Sequence, residues 1–334
     1  MANDLIDSHS LLFLLLQPMK RFFLLIFLQI PLYPAFSWGF YAHQRINRLA
    51  IFTLPPEMGR FYKKNLMYLM ENSVNPDKRR YAVVGEAARH YLDVEAYGDS
   101  VWNKPYWKDA VAYWGEDTLN THGIVPWHIQ RMKFQLTEAF QQRNIARILK
   151  LSAEMGHYIA DGNVPLHTTR NYNGQLTGQE GIHAFWESRL PELYAEQYDF
   201  FVGTAAYVRS PARRSWEAVR QAHHCLDSLF SLETQVTQEL GQSRKYSLEE
   251  RGNVIQKTYS REFSERYHQL LNHQVERQMR ASIKMIGDFW YTCWIDAGQP
   301  DLNQLPTLSE KDKQVDEVEK RSWLQRLFRV RPEE

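Results

Sequence analysis

Residues 157–187 read HYIADGNVPLHTTRNYNGQLTGQEGIHAFWE and contain most of the chemistry of this chain. The stretch has two His-x3-carboxylate pairs with another histidine between them: His157 with Asp161, His183 with Glu187, and His167. On a helix, side chains four residues apart project from one face, so each pair can reach one cation. Imidazole and carboxylate without thiolate are the ligands of catalytic rather than structural zinc. The stretch therefore predicts a hydrolytic metal site.

Helical patterns dominate the chain, and no strand meander is evident. One apolar stripe leads into the first pair and ends before Gly162 and Pro165: it consists of Ile145, Ile148, Leu149, Met155 and Ile159. Further helices are expected over about 213–240 and about 275–295, and the glycine-rich segment 171–181 is interpreted as a mobile rim loop. These patterns predict an all-α fold, a single multi-helix domain over residues 38–305 with metals held in the core between helices.

Both ends of the chain differ from its middle. Residues 1–37 read as a cleaved signal peptide, with Met19 as a candidate for the true start and an uncleaved anchor from near Leu11 as the alternative. Cleavage would make Trp38 the first mature residue and the protein secreted or periplasmic. The charged tail 306–334 ends in a basic amphipathic pattern; it is interpreted as a frayed appendage, and weak contact with a membrane or a partner is the alternative.

Charge and cysteine content narrow the functional classes. The 334 residues include 40 Lys and Arg against 39 Asp and Glu, so the chain lacks the electrostatic footprint of a duplex nucleic-acid binder. Cys225 and Cys293 could form one bridge in an oxidising compartment, but their apolar helical surroundings favour buried free thiols. A monomer is expected.

Additional metal donors precede the first pair: His43, Asp77 and His90. Together with Trp38 and the donors of residues 157–187, they resemble in order the trinuclear-zinc superfamily that joins bacterial phospholipases C to the P-one/S-one type nucleases. The resemblance extends from Trp38 to about Glu187, and the helical remainder is compatible in length. It implies a zinc-dependent phosphodiesterase whose N-terminal Trp binds zinc through its amine and carbonyl.

The resemblance assigns the ligands to three zinc ions. Four donors would hold the first ion: Asp77, His90, His157 and Asp161. The second would be bound by Trp38, by His43 and by the shared Asp161. The third would be bound by His167, His183 and Glu187, with open positions for water or substrate. The close pair would make hydroxide available at neutral pH and the third ion would neutralise the phosphate, which gives Asp77 and Asp161 catalytic roles.

Residues near the donors decide the expected substrate. In the nuclease branch, an aromatic residue beside a ligand His stacks a base and a nearby Asp binds its edge, and Tyr91 and Asp93 match these positions. Arg80 matches a basic residue near the scissile phosphate. The resemblance therefore favours a single-strand nuclease and 3′-nucleotidase. Glu187 matches the phospholipases instead, and phospholipases also carry an aromatic and an Asp after a ligand His, so zinc-dependent phospholipase C is the alternative.

Other interpretations remain open at this point. Tyr91 could be a core residue and Arg80 a surface charge, and the whole protein could be an inactive zinc-containing surface-binding protein. His122 and His128 match no ligand position and are interpreted as structural or as supporting a ligand. His223 lies on an apolar stripe, which favours a core histidine.

Overall fold

The computed structural model describes residues 39–251 and 254–305 together with positions 308 and 322. The predictions on the signal peptide 1–37, on Trp38 and on the rest of the tail 306–334 lie outside the described residues. None of the described helices has the length and hydropathy that crossing a bilayer requires.

Helices build most of the described chain, as the sequence predicts. In chain order the α-helices are α1 (Phe40–Ala50), α2 (Pro56–Lys64), α3 (Leu66–Asn72), α4 (Asn75–Arg79), α5 (Val94–Tyr97), α6 (Trp107–Trp114), α7 (Glu116–His122), α8 (Val125–Gln141), α9 (Ile145–Asp161), α10 (Ile182–Ala184), α11 (Leu190–Tyr194), α12 (Pro211–His223), α13 (Leu226–Leu240), α14 (Gln242–Lys245), α15 (Arg261–Leu270) and α16 (Gln274–Asp296). A π-helical turn, Phe185–Arg189, joins α10 to α11. Short 3-10 turns are Ile51–Thr53, Ala87–His90, Asp99–Asn103, Pro165–Thr168, Ala195–Gln197 and Leu302–Gln304.

Helix α9 forms the centre of the fold. Every residue from Leu151 to Asp161 is buried, because α9 packs against α1, α3, α8 and α16. The Asn144 side chain accepts a hydrogen bond from the backbone N–H of Arg147 at 3.0 Å and caps the start of the helix. Gly162 is the C-cap residue, so the helix ends where the sequence predicts.

The close approach of α1 to α9 depends on Gly156. A Cβ atom at this position would lie 2.0 Å from Asn47 Oδ1 of α1, far inside van der Waals contact. Because glycine leaves this space free, the His43 ring of α1 lies nearly parallel to the His157 ring, with centroids 4.0 Å apart. The packing of two helices thus brings two of the predicted ligands together.

The prediction of one helix over about 213–240 is wrong in one respect, because the structure has two helices there. Helix α12 ends at His223 and α13 begins at Leu226. No Gly or Pro marks the junction, and the apolar spacing continues through it, so the pattern does not show the break. The last helix, predicted over about 275–295, is confirmed by α16.

A two-stranded antiparallel hairpin is the exception to the helical architecture. Strand β1 (Tyr246–Arg251) pairs with β2 (Val254–Tyr259). The sequence signal for it is a Gly-Asn pair between two strand-like runs, which the all-α interpretation passed over. The Tyr259 ring stacks on Phe185 with centroids 3.8 Å apart, so the hairpin supports the π-helical turn after α10.

Candidate metal centre and its cleft

Three elements around α9 and α9 itself bring the predicted donors together. His43 lies on α1, Asp77 on α4 and His90 at the end of the 3-10 turn Ala87–His90. The last two turns of α9 carry His157 and Asp161. Four of the five donor residues are fully buried: His43, His90, His157 and Asp161. Asp77 is also nearly enclosed, with 6 % of its side chain exposed.

The first donor set has the dimensions of a tetrahedral metal site. A metal with bonds of about 2.0–2.2 Å separates its donor atoms by roughly 3.3–3.6 Å. His90 Nδ1 and His157 Nε2 lie 3.0 Å apart, and their distances to Asp161 Oδ2 are 2.9 and 3.2 Å. Asp77 Oδ1 lies 3.6 Å from His90 Nδ1 and 3.5 Å from His157 Nε2. These atoms can therefore surround one cation.

The second oxygen of Asp161 faces a different neighbour. Asp161 Oδ1 is 3.4 Å from His43 Nε2, while Oδ2 faces the first set. Asp77 divides its oxygens in the same way, with Oδ2 at 3.9 Å from His43 Nε2. The geometry is that of carboxylates shared between two adjacent cation positions. Trp38, predicted to complete the second position, lies outside the described residues.

The third donor set is formed by His167, His183 and Glu187. The Nε2 atoms of the two histidines are 3.2 Å apart, and Glu187 Oε2 lies 3.0 Å from His183 and 3.6 Å from His167. The prediction that His183 and Glu187 share one regular α-helix is wrong, because α10 passes into the π-helical turn between them. The π-helical turn still brings both side chains to the same point, and such turns are frequent at functional sites.

A backbone contact sets the protonation of His167. Its Nδ1 atom is 2.6 Å from the carbonyl oxygen of His90. A carbonyl only accepts hydrogen bonds, so Nδ1 carries the hydrogen and the lone pair of a neutral ring is on Nε2, the atom that faces His183 and Glu187. This is the arrangement expected of a metal-binding histidine.

The first set is supported from behind by a buried ionic network. Arg79 contacts Glu154 at 2.5 Å and Glu86 at 3.1 Å, and Tyr158 donates its hydroxyl to Glu86. Glu86 Oε1 lies 3.7 Å from His90 Nε2, on the far side of the ring from the metal position. Burial opposes ionisation of Glu86, but its interactions with His90 and Arg79 outweigh burial and lower its pKa. A charged Glu86 therefore orients His90.

The protonation states of the donors also fit a cation. Burial lowers the pKa of His43 and of His157, which keeps both rings neutral and able to bind a metal. Burial raises the pKa of Asp77 to about 7, and neither of its oxygens has a hydrogen-bond donor within the described part of the chain. A buried carboxylate without donors is costly, and a bound cation would supply the missing partner.

A cleft of about 390 Å³ opens onto the third set. The predicted substrate residues Arg80, Tyr91 and Asp93 line it together with His167 and His183. Additional lining residues that the sequence analysis did not identify are Tyr81, Ala87, Leu166, Thr169, Arg170 and Tyr172. Arg170 and Tyr172 lie within the stretch 157–187, but only the folded loop shows that they face the cleft.

The position of Tyr91 is fixed by its backbone and by its hydroxyl. Tyr91 is half-buried, and its hydroxyl donates to the Thr121 carbonyl at 3.0 Å. Gly123 has a φ of 89°, and a Cβ there would lie 2.2 Å from the Tyr91 carbonyl oxygen, so only glycine permits this approach. Asp93 Oδ2 lies 3.5 Å from His122 Nδ1, which places His122 beside the cleft and outside the donor sets.

The rim loop has a defined set of hydrogen bonds. Asn171 Oδ1 accepts from the Leu176 N–H at 2.8 Å, and Gln179 Nε2 donates to Glu233 Oε2 of α13 at 2.6 Å. Tyr172 is 51 % exposed at the cleft, so the segment does form a rim. Its mobility stays a prediction.

The remaining histidines and the cysteines lie elsewhere. His128 is buried against Tyr158, with ring centroids 4.4 Å apart, and belongs to no donor set. His223 is half-buried rather than a full core residue, and its Nδ1 lies 3.0 Å from Thr168 Oγ1. Cys225 and Cys293 are free thiols, but only Cys293 is buried as predicted, since Cys225 lies at the partly exposed junction of α12 and α13.

No protein-family model matches this chain, and a search of curated proteins finds no match.

Proposed function

We propose that this chain is a secreted zinc-dependent phosphodiesterase that cleaves single-stranded nucleic acid at a centre of three zinc ions. The observation that carries the proposal is the arrangement of the three donor groups, two of which Asp161 joins by presenting one oxygen to the first set and the other to His43. Nitrogen and oxygen donors without sulfur suit zinc in a catalytic site.

The number of donors suggests which position is open to substrate. With Asp77 the first set offers four protein donors, whereas among the described residues the third offers only His167, His183 and Glu187 and faces the cleft. Catalytic zinc keeps three protein ligands and an open position. When bound, zinc supplies Lewis acidity and lowers the pKa of a coordinated water.

The protein's own residues would position the substrate. Arg80, which lines the cleft, would bind the phosphate through its guanidinium. Tyr91, held by the contact of its hydroxyl with Thr121, would present its ring to a base. Asp93 would accept a hydrogen bond from the edge of that base. Burial raises the pKa of Asp93, against the opposing effect of His122.

The lining of the cleft favours nucleic acid over phospholipid. Three tyrosines line it, of which Tyr81 is 65 % exposed, and Arg80 and Arg170 supply positive charge. Aromatic stacking contributes about 1–3 kcal/mol per base in single-strand binding. The aliphatic lining is limited to Ala87 and Leu166, which is little surface for an acyl chain. Glu187 remains the one position at which the resemblance favours a phospholipase.

The test is a substrate comparison with the mature chain that begins at Trp38, loaded with zinc. We expect hydrolysis of single-stranded RNA, single-stranded DNA and a 3′-nucleotide, little hydrolysis of phosphatidylcholine, and loss of activity on chelation. His167→Ala should be inactive, and His273→Ala, which alters an exposed histidine away from the centre, should match the parent. Hydrolysis of phosphatidylcholine alone would favour the phospholipase, and zinc binding without any hydrolysis would favour the inactive surface protein.

A further inference from the structure

A second cleft of about 670 Å³ adjoins the cleft of the candidate metal centre. The two clefts share Thr169 in their walls, while Arg170 lines the first and Asn171 lines the second. Thr169 donates its hydroxyl to Glu95 at 2.5 Å, and the Arg170 N–H donates to the same carboxylate at 3.2 Å. This segment is therefore a fixed ridge with a cleft on either side.

One wall of the second cleft is formed by Arg220, which stacks on the ring of Trp102. The Arg220 guanidinium carbon lies 4.8 Å from the centre of the Trp102 ring. Trp216 contacts that ring edge-on at a centroid distance of 5.9 Å, which limits its rotation. Arg220 is exposed and makes no ion pair with any carboxylate of the described residues. Its outer face is thus available to a flat or anionic ligand.

The rest of the lining is mostly aromatic and polar, with Val94 and Leu226 as its aliphatic residues. Phe230 of α13 contributes a half-buried ring, and Asp99 and Asp227 contribute exposed carboxylates that can accept hydrogen bonds. An acyl chain would have to desolvate these carboxylates, which is unfavourable. A nucleobase suits the cleft better, because bases stack on aromatic rings and on guanidinium planes and offer N–H groups to acceptors.

We propose that the second cleft binds a further nucleotide of the same strand whose phosphodiester bond lies at the metal centre. This inference rests on the proposed function and extends it, because it predicts that the enzyme binds more than one nucleotide of a polymeric substrate. The strand would cross the ridge at Thr169, with Arg170 beside the backbone and the next base between Phe230 and Arg220. Since the carboxylates offset the charge of Arg220, binding here should depend on stacking more than on counterion release.

Binding and hydrolysis are tested separately, with an octanucleotide whose linkages are phosphorothioates and with bis(p-nitrophenyl) phosphate, which is small enough to occupy the metal cleft alone. Arg220→Ala removes an exposed side chain, and Phe230→Ala tests the opposite wall. Arg131→Ala is the matched control, because Arg131 also stacks on a tryptophan, Trp107, at 5.5 Å but lines neither cleft.

For zinc-loaded protein, we expect the Kd for the octanucleotide to rise about tenfold in Arg220→Ala and in Phe230→Ala, and to change less than about twofold in Arg131→Ala. The ratio of kcat/KM for a cleavable octanucleotide to that for bis(p-nitrophenyl) phosphate should fall by the same factor. An unchanged Kd in Arg220→Ala would overturn the proposal that the second cleft binds a nucleotide, while leaving the proposed function intact. Absence of hydrolysis of both the cleavable octanucleotide and bis(p-nitrophenyl) phosphate in the parent would overturn the proposed function itself.

Discussion

At the scale of single residues, Asp161 is the most connected donor. One of its oxygens lies 2.9 Å from His90 and the other 3.4 Å from His43, so its two sides serve different positions. The sequence predicts that His157 and Asp161 share a helix face, but the division of the two oxygens depends on α1, which begins more than a hundred residues earlier.

Asp161→Asn should therefore be more damaging than His183→Ala. The amide keeps the size of the side chain but offers a neutral oxygen and an N–H group, which weakens two cation positions instead of one. We expect a loss of kcat/KM of about 100-fold or more, beyond the usual effect of altering a residue behind a ligand. Zinc content and kcat/KM measure it, with the exposed Asp109→Asn as the control. An equal or smaller loss than in His183→Ala would contradict the bridging role.

Zinc affinity should fall as the pH falls. Burial alone would lower the pKa of His90 and of His167, but Asp161 lies beside both and raises their pKa above the usual 6.5. Protonated rings cannot bind a cation, so protons compete with zinc increasingly as pH drops through these raised values. Zinc Kd measured from about pH 8 to about pH 5 tests this. Affinity that is constant or increases on acidification would be inconsistent with imidazole ligands.

At the scale of elements, the regular helices could be predicted and their interruptions could not. The boundaries of α9 and α16 follow from periodicity and stop signals. The break between α12 and α13 has no breaker residue to announce it, because it arises from packing. The π-helical turn after α10 is followed by Pro191, which lacks the backbone N–H for a helical bond to Glu187, but a proline alone does not specify a π-helical geometry. The donors within residues 157–187 could be read from spacing and the upstream donors from the resemblance, whereas Tyr81, Arg170 and Tyr172 join the cleft only through the path of the loops around it.

Alanine substitutions at two glycines should change the free energy of unfolding in opposite directions, because only Gly156 lies at the contact between α1 and α9. Gly156→Ala would place a Cβ 2.0 Å from Asn47 Oδ1 and push α1 away, so we expect a loss of about 1–3 kcal/mol in the free energy of unfolding. Gly59→Ala in α2 meets its nearest atom at 3.6 Å and should stabilise by about 0.5–1 kcal/mol, as glycine is costly inside a helix.

Urea unfolding of both variants measures these changes. Zinc content should also fall in Gly156→Ala, since His43 would move away from His157, and it should be unchanged in Gly59→Ala. Equal stability of the two variants would show that the helices do not need this close approach.

At the scale of the whole molecule, a nearly neutral chain would gain its anion-binding field from the metals it holds. With 40 basic and 39 acidic residues, attraction of a phosphodiester would come from the local charge at the buried donors rather than from a basic surface. Removal of zinc should therefore abolish hydrolysis and weaken nucleic-acid binding to the part that stacking on the aromatic residues of the clefts contributes.

Processing before Trp38 would affect the same centre. If Trp38 binds zinc through its amine, a chain that begins Met-Trp38 should contain one zinc fewer and lose most activity while remaining folded, because an amide is a poor donor. A chain with Trp38→Phe and a free N-terminal amine should keep both the zinc ion and the activity. Full activity of the extended chain would show that Trp38 contributes only its indole.

The most direct test of the central claim is the zinc content of the mature chain, measured by native mass spectrometry alongside elemental analysis. Three donor groups, two of them joined by Asp161, predict about three zinc ions per chain, reduced by Asp161→Asn and lost together with activity on chelation. A fully active protein that holds one zinc ion or none would contradict the account.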